Sequence, residues 1–363
     1  MKYLFINSVA GVGSTGRIVA QTCRKLQQQG HTCVIAYGRE KANCEDLETV
    51  AIGASLDYKI HGVLNRITDR HGFYSRRATA RFLNWVRTYD PDVIWLHNIH
   101  GYYLHIGLLF EYLKQSGKQV KWTLHDCWAF TGHCAYFDFA RCDRWKTGCH
   151  DCPQKKAYPT SLLCDGSREN YAKKKSLFTG VPNMTLITPS KWLADLAGIG
   201  FLGDYPIEVS CNTVNTEVFC PTEGDFRSRY GLEEKILLLG VAGVWDARKG
   251  LRDFLRLAQM LDDSYRIVLV GLSDKQLRDL PANVIGLKRT NNAKELAHLY
   301  TTADVFVNPT YEDNYPTVNL EARACGTRIV CYDTGGCSET IGEGDTLVPK
   351  GDVEALCACI RGI

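Results

Sequence analysis

Short apolar runs rich in β-branched and aromatic residues recur along the chain at 2–8, 32–37, 93–97, 120–124 and 185–188, and again at 236–241, 266–270, 305–308 and 328–332. Between them lie longer stretches in which apolar and polar positions mix at helical spacing. Strands that alternate with helices predict parallel sheets covered by helices on both faces. The first helix is predicted over 15–29, with Gly30 as its stop. The pattern pauses around Asp204-Tyr205-Pro206, and a fresh α/β series begins near Ile236 after an irregular segment, 211–231. Two domains are predicted, residues 1–200 and 201–363, as suits a chain of 363 residues. The segment 126–170 fits neither sheet and reads as an insertion in the first domain.

No apolar stretch approaches the roughly 20 residues of a membrane-spanning helix. The apolar start of the chain stops at Asn7-Ser8 and a glycine-rich turn follows, so it reads as a first strand rather than a secretory signal. The expected compartment is the cytoplasm, where the 16 cysteines are thiols or metal ligands rather than disulfides. The net charge of +3 conceals an asymmetry: residues 1–200 carry 26 Lys and Arg against 16 Asp and Glu, and the remainder 17 against 24. A basic first half suits an anionic partner, such as a phosphorylated acceptor or an acidic lipid headgroup.

Gly11-Val12-Gly13-Ser14-Thr15-Gly16 lies between the first strand and the first helix, where it satisfies G-x-G-x-x-G. A dinucleotide site would also need an acid at the end of the second strand, and the sequence there is Ala36-Tyr37-Gly38-Arg39. A glycine turn at a helix start still offers bare N–H groups to a phosphate. In the second half, Thr310-Tyr311-Glu312-Asp313-Asn314-Tyr315-Pro316-Thr317 leads from a strand into a helix that carries Glu321. Such a loop can present N–H groups to an anionic leaving group, and an acid inside the helix can accept ribose hydroxyls. Upstream, Gly243-Val244-Trp245-Asp246-Ala247-Arg248-Lys249-Gly250 places basic side chains after another strand, where they can neutralise a pyrophosphate.

The acidic loop resembles the E-x7-E signature of the retaining glycosyltransferases of family 4, and the basic segment is similar to their G-R-L-x-x-x-K-G motif. Pro91-Asp92-Val93-Ile94-Trp95-Leu96-His97-Asn98 resembles the family's P-D-V-I-H-x-H strand, and His125-Asp126 falls where its first-domain histidine ends a strand. Similar correspondences run through Thr188-Pro189-Ser190-Lys191, Cys211-Asn212-Thr213-Val214-Asn215 and Gly335-Gly336-Cys337-Ser338-Glu339. The resemblance implies the GT-B architecture, two Rossmann-like domains facing a cleft, the first binding the acceptor and the second a nucleotide-sugar such as a UDP- or GDP-sugar. It implies that Glu321 binds the donor ribose, Asp313 contacts the transferred sugar, Lys249 holds the diphosphate and His125 touches the sugar. Gly13 and its loop would cover the donor phosphates, with Asn314, Tyr315, Pro316 and Thr317 in the donor-binding loop. It further implies transfer with retention of configuration and no catalytic metal, onto a glycan or lipid-linked acceptor in surface polysaccharide synthesis, peripheral to the inner face of the plasma membrane. Two departures stand out: Asp313 replaces Glu, with Glu312 beside it, and the motif's Arg is missing, leaving Arg248 to compensate.

Within the insertion, Cys149-His150-Asp151-Cys152 is a C-x-x-C knuckle that Cys134 and Cys142 could complete as a structural zinc site. Unligated thiols are the main alternative, with disulfides or a metal cluster after them. Arg141, Arg144, Lys146, Lys155 and Lys156, interleaved with Tyr136, Phe137 and Trp145, make the insertion basic and aromatic. That composition suits a lipid-diphosphate acceptor at an anionic surface, or equally a single-stranded nucleic acid stacked on the rings. The two rivals to the glycosyltransferase reading are therefore an NAD-dependent oxidoreductase using residues 11–16 and a zinc-stapled nucleic-acid-binding protein.

Overall fold

The structure, a computed structural model, describes residues 1–363 and divides into two compact units, Met1–Cys211 and Asn212–Ile363. In the first unit, seven strands form one sheet in the order β3-β2-β1-β4-β5-β6-β7. They are β1 (Lys2–Asn7), β2 (Thr32–Tyr37), β3 (Glu48–Ala51), β4 (Val93–Leu96), β5 (Gln119–Thr123), β6 (Met184–Thr188) and β7 (Ile207–Val209). Every neighbouring pair is parallel, for example Leu4 opposite Val34 in β2 and Ile94 in β4. Central strands of such a sheet are covered on both faces, which is why β1 reads Tyr-Leu-Phe-Ile without alternation and buries all four.

The crossovers carry α1 (Gly13–Gln28), α2 (Ser55–Thr68), α3 (Arg76–Tyr89), α4 (Ile106–Ser116), α5 (Ser167–Phe178) and α6 (Lys191–Ile199). Helix α1 buries Gly16, Val19, Ala20 and Cys23, one stripe at helical spacing, and begins earlier than expected, at Gly13. Gly30, at φ +83°, and His31 return N–H groups to Gln27 and Leu26 carbonyls, closing its end. The first unit extends past the expected boundary at residue 200 because β7 pairs with β6 and completes the sheet.

In the second unit, six parallel strands run β10-β9-β8-β11-β12-β13. They are β8 (Ile236–Val241), β9 (Tyr265–Val270), β10 (Val284–Leu287), β11 (Val305–Asn308), β12 (Arg328–Asp333) and β13 (Thr346–Pro349). Their helices are α7 (Phe226–Tyr230), α8 (Leu251–Met260), α9 (Asp274–Arg278), α10 (Ala293–Thr302), α11 (Thr317–Ala324) and α12 (Val353–Arg361). One core lies on each face of this sheet: Phe254, Leu257 and Leu356 pack on one side, Tyr300, Phe306 and Ala322 on the other.

Between β5 and α5 the chain forms only two short 3-10 turns, Trp128–Phe130 and Arg144–Lys146. Phe130, Phe137 and Trp145 cluster there with ring centroids 4.7 to 6.3 Å apart, and all three are buried. Two of the rings read as surface aromatics in the sequence, Phe137 and Trp145, are therefore core. Lys174 of α5 fastens the segment from beneath, its buried ammonium donating to the Trp128 and Thr131 carbonyls at 2.6 and 2.9 Å over the Trp128 ring.

Candidate functional site

The donor-site candidates of the second unit lie on two loops that follow adjacent parallel strands, β8 and β11. After β8, Asp246 caps a 3-10 turn, Ala247–Lys249, by accepting the Arg248 and Lys249 backbone N–H groups. The turn then reverses at Gly250, at φ +75°, where a Cβ would stand 2.1 Å from the Pro309 carbonyl oxygen. Only glycine lets the two loops approach so closely. The Arg248 carbonyl accepts from the Tyr311 N–H at 2.8 Å, and the Arg248 guanidinium donates to the Glu312 carbonyl at 2.5 Å.

With the backbones tied together, the Lys249 ammonium meets the Asp313 carboxylate at 2.5 Å. Burial raises the Asp313 pKa, but the Lys249 and Arg248 charges outweigh it and hold the group below the ordinary carboxylate range. The Asn314 N–H donates to the other Asp313 oxygen at 2.9 Å. Behind it, the Gly336 N–H bonds the Asp313 carbonyl at 3.1 Å, and Gly335, at φ +56°, leaves no room for a Cβ against that same oxygen.

Past Tyr315, Pro316 precedes α11 without a side-chain cap, so the first N–H groups of this helix, from Thr317 on, have no side-chain acceptor from the cap position. Glu321 sits on the buried side of α11, where the Tyr300 hydroxyl of α10 donates to its Oε2 at 3.0 Å. Asn319 fixes the helix start from below. It accepts from Asn308 Nδ2 at 2.8 Å and donates to Thr340 Oγ1 at 2.8 Å. Sequence reasoning missed Asp246, Tyr300, Asn319 and Thr340. Only Asp246 carried a signal, as a capping acid ahead of a short turn.

In the first unit, His125 follows β5. Its Nε2 is 2.9 Å from His97 Nδ1, and the two rings stack with centroids 5.2 Å apart. Burial drives the His125 pKa down to about 4, against the opposing pull of Asp126, so the imidazole is neutral at physiological pH. Beside it, Asp126 lies 3.1 Å from His100 Nε2, and His100 Nδ1 is 2.9 Å from the Tyr158 hydroxyl. Neither His100 nor Tyr158 lies in a motif that would have marked it in the sequence. Gly11, at φ +70°, packs where a Cβ would strike the Asn43 carbonyl at 2.2 Å, whereas a Cβ at Gly13, the first residue of α1, would meet nothing within 4 Å.

Cys134, Cys142, Cys149 and Cys152 line one small cavity with His133 and His150. The four thiols named in the sequence as zinc ligands are thus brought together, but no group of three or more His, Cys, Asp or Glu side chains is arranged to hold a metal ion, so the zinc reading gains no support. Several of these groups already have hydrogen-bond partners. Cys149 Sγ accepts from the Gly132 N–H at 3.1 Å, His133 is bound to buried Asp69 at 2.6 Å, and the Cys134 and Cys152 thiols bond each other. That mutual bond lowers the Cys152 pKa and raises that of Cys134. All 16 cysteines are unbridged, and aromatic packing with Lys174 helps to hold the segment.

Two all-parallel α/β units, with paired loops at the strand ends of the second carrying a lysine and carboxylates beside an uncapped helix, define a protein of the GT-B glycosyltransferase class. The model of "Glycosyl transferases group 1" matches residues 234–363 and that of "Glycosyltransferase Family 4" residues 15–150. The chain belongs to this family, the group 1 glycosyltransferases of family 4. It is 23% identical to the putative colanic acid biosynthesis glycosyl transferase WcaC of Escherichia coli, over 94% of this chain and 85% of that protein. Over 125 residues it is 31% identical to the N,N'-diacetylbacillosaminyl-diphospho-undecaprenol alpha-1,3-N-acetylgalactosaminyltransferase of Campylobacter jejuni, covering 32% of this chain and 31% of that one. Its fold matches sucrose-phosphate synthase from Thermosynechococcus elongatus with a TM-score of 0.75 at 19% identity, over 100% of this chain and 89% of that one. Family membership displaces the oxidoreductase and nucleic-acid readings.

Proposed function

We propose that this chain transfers a sugar from a nucleotide-sugar to a glycan or lipid-linked acceptor with retention of configuration, in the synthesis of a surface polysaccharide. The observation that carries the reading is the contact between Lys249 and Asp313, which brings a cation and a carboxylate from two loops to one point beside the start of α11.

Glycosyl transfer needs stabilisation of a departing diphosphate and of a sugar that gains oxocarbenium character. Lys249 and the α11 N–H groups serve the first need, with Arg248 behind them, and the Asp313 carboxylate serves the second. Glu321, held by Tyr300, accepts the ribose hydroxyls, while Glu312, Asn314, Tyr315, Pro316 and Thr317 shape the loop around the diphosphate. In the first unit, which takes the acceptor, neutral His125 hydrogen-bonds a sugar hydroxyl and the loop at Gly13 offers backbone N–H groups to phosphate oxygens. The relatives' names support the polysaccharide assignment and, for the Campylobacter enzyme, a diphospho-undecaprenol acceptor. No helix is long and apolar enough to cross a membrane, and we place the protein at the cytoplasmic face of the plasma membrane.

The test is a thermal-shift screen with UDP-, GDP- and ADP-sugars, followed by product analysis with the best donor. Glu321→Ala is expected to abolish transfer in a folded protein. Unchanged turnover in that variant removes the site assignment, and a product of inverted configuration removes the retaining mechanism.

A further inference from the structure

We propose that the outward face of α2, continued by residues 162–164, is the surface with which this protein seats itself on an anionic lipid bilayer. The proposal rests on the acceptor being lipid-borne only for its purpose, not for its physics.

Helix α2 is amphipathic in the reverse of the usual sense. Its buried positions are His61, Gly62 and Asn65, and they are held by polar contacts. His61 Nδ1 lies 2.9 Å from Ser75 Oγ, His61 Nε2 accepts the Gly72 N–H, and Asn65 donates to the Thr160 carbonyl at 3.1 Å. Its aliphatic side chains face out: Leu56, Ile60, Val63 and Ile67 are 66%, 50%, 55% and 43% exposed. At spacings of four, three and four residues they form one stripe. A helix of a water-soluble surface places such a stripe inward.

The remaining exposed positions within the stripe are basic, Lys59 and Arg66, and Arg70 follows just past the helix. The acids of this region are turned away. Asp57 accepts the Ala54 N–H at 2.9 Å, and Asp69 is buried against His133. The patch continues onto a second segment, because the Leu162 N–H bonds the Arg66 carbonyl at 2.7 Å and the Cys164 N–H bonds that of Ile67 at 3.2 Å. Leu162 and Leu163 are 58% and 69% exposed there, with Lys155 and Lys156 nearby in the chain. The neighbouring acid, Asp165, accepts the backbone N–H groups of Cys152 and Ser167.

Charge decides the occupant. A second copy joined through this face would set like-charged rims against each other, which costs affinity. Anionic headgroups neutralise the rim while the aliphatic stripe enters the headgroup–acyl boundary, the manner in which an interfacial helix binds. The basic surplus of residues 1–200 has the same sign.

The test is co-sedimentation of the full chain with vesicles of phosphatidylcholine alone or mixed with phosphatidylglycerol. Binding to the mixed vesicles only, weakened by salt, is expected. Both Leu56→Ser/Ile60→Ser/Val63→Ser/Ile67→Ser and Lys59→Glu/Arg66→Glu are expected to weaken it about tenfold or more, with the thermal midpoint and vesicle-free donor hydrolysis unchanged. Wild-type protein that ignores mixed vesicles overturns the proposal, as do variants that bind like wild type. A wild-type dimer that the aliphatic variant converts to monomer in sedimentation velocity also overturns it, in favour of a second copy. Vesicle binding without donor turnover supports the surface and sinks the donor site alone, and the reverse result sinks the surface alone.

Discussion

Lys249 and Asp313 hold each other at 2.5 Å although 64 residues separate them in the chain. The pair makes the resting site neutral at the point where a diphosphate is proposed to bind. On that proposal a donor phosphate would have to take Lys249 from Asp313, which would free the carboxylate for the sugar as the diphosphate arrives. The two substitutions consequently differ in sign. Lys249→Met is expected to weaken nucleoside-diphosphate binding by about 2 kcal/mol, roughly thirtyfold. Asp313→Asn is expected to bind it at least as tightly as wild type while turnover collapses. Isothermal titration with UDP and GDP, set beside initial rates, checks both. Equal losses of nucleotide affinity in the two variants would remove the exchange.

Tyr300 donates to Glu321 from a neighbouring helix, so it orients the carboxylate that is proposed to take the ribose. Removing the hydroxyl costs one buried hydrogen bond, about 1 kcal/mol of stability. The proposed ribose contact persists but is less well placed. For Tyr300→Phe we expect a severalfold rise in donor KM with kcat nearly unchanged, in contrast to Glu321→Ala, which loses both. A fall in kcat alone would show that Tyr300 acts on the chemical step.

The parts of the fold that the sequence revealed, and those it hid, follow burial. The inner strands β1, β2, β4, β5, β6, β8, β9, β11 and β12 are legible because covering on both faces leaves continuous apolar runs. The four strands without such a signal, β3, β7, β10 and β13, are the four sheet edges. There one side lacks a neighbour, and runs such as Glu48-Thr49-Val50-Ala51 are half exposed. The loops after β8 and β11 were legible through family motifs, since nothing in either loop alone says that Lys249 reaches Asp313. Tyr300 was illegible because, next to Ala297 and Leu299, it looks like any core aromatic of an amphipathic helix. The cysteine segment misled for the opposite reason: aperiodic sequence gives no inward or outward sense, so buried Trp145 reads the same as an exposed ring.

The buried histidines make stability depend on pH. His125 is depressed from 6.5 to about 4 and His61 from 6.5 to about 3, both chiefly by burial. His71 and His97 lie well below the ordinary value for the same reason. For a histidine depressed in the folded state, the unfolded chain binds the proton first. Stability is therefore complete above pH 6.5 and is lost as the pH falls from there toward the folded value. Each independent histidine of this kind costs about 2 kcal/mol at pH 5. The urea midpoint is expected to fall steeply between pH 7.5 and 5, and His61→Asn to flatten that slope. A midpoint independent of pH over this range would show that these rings are open to protons in the folded protein.

Gly250 offers a test of the loop pairing that leaves every charged group in place. Its φ of +75° is strained for any L side chain, and its missing Cβ makes room for the Pro309 carbonyl, which would otherwise stand 2.1 Å away. Neither obstacle can be relieved by a rotamer, because the clash is with backbone. Gly250→Ala must push the β8 loop from the β11 loop, costing on the order of 2 kcal/mol, and it should separate Lys249 from Asp313. Gly344, also at positive φ, has open space around its Cβ position and serves as the control. Gly344→Ala is expected to share the backbone strain and retain donor turnover, whereas Gly250→Ala loses both stability and turnover. Equal turnover in the two variants would mean that the close approach of the loops is not what forms the donor site.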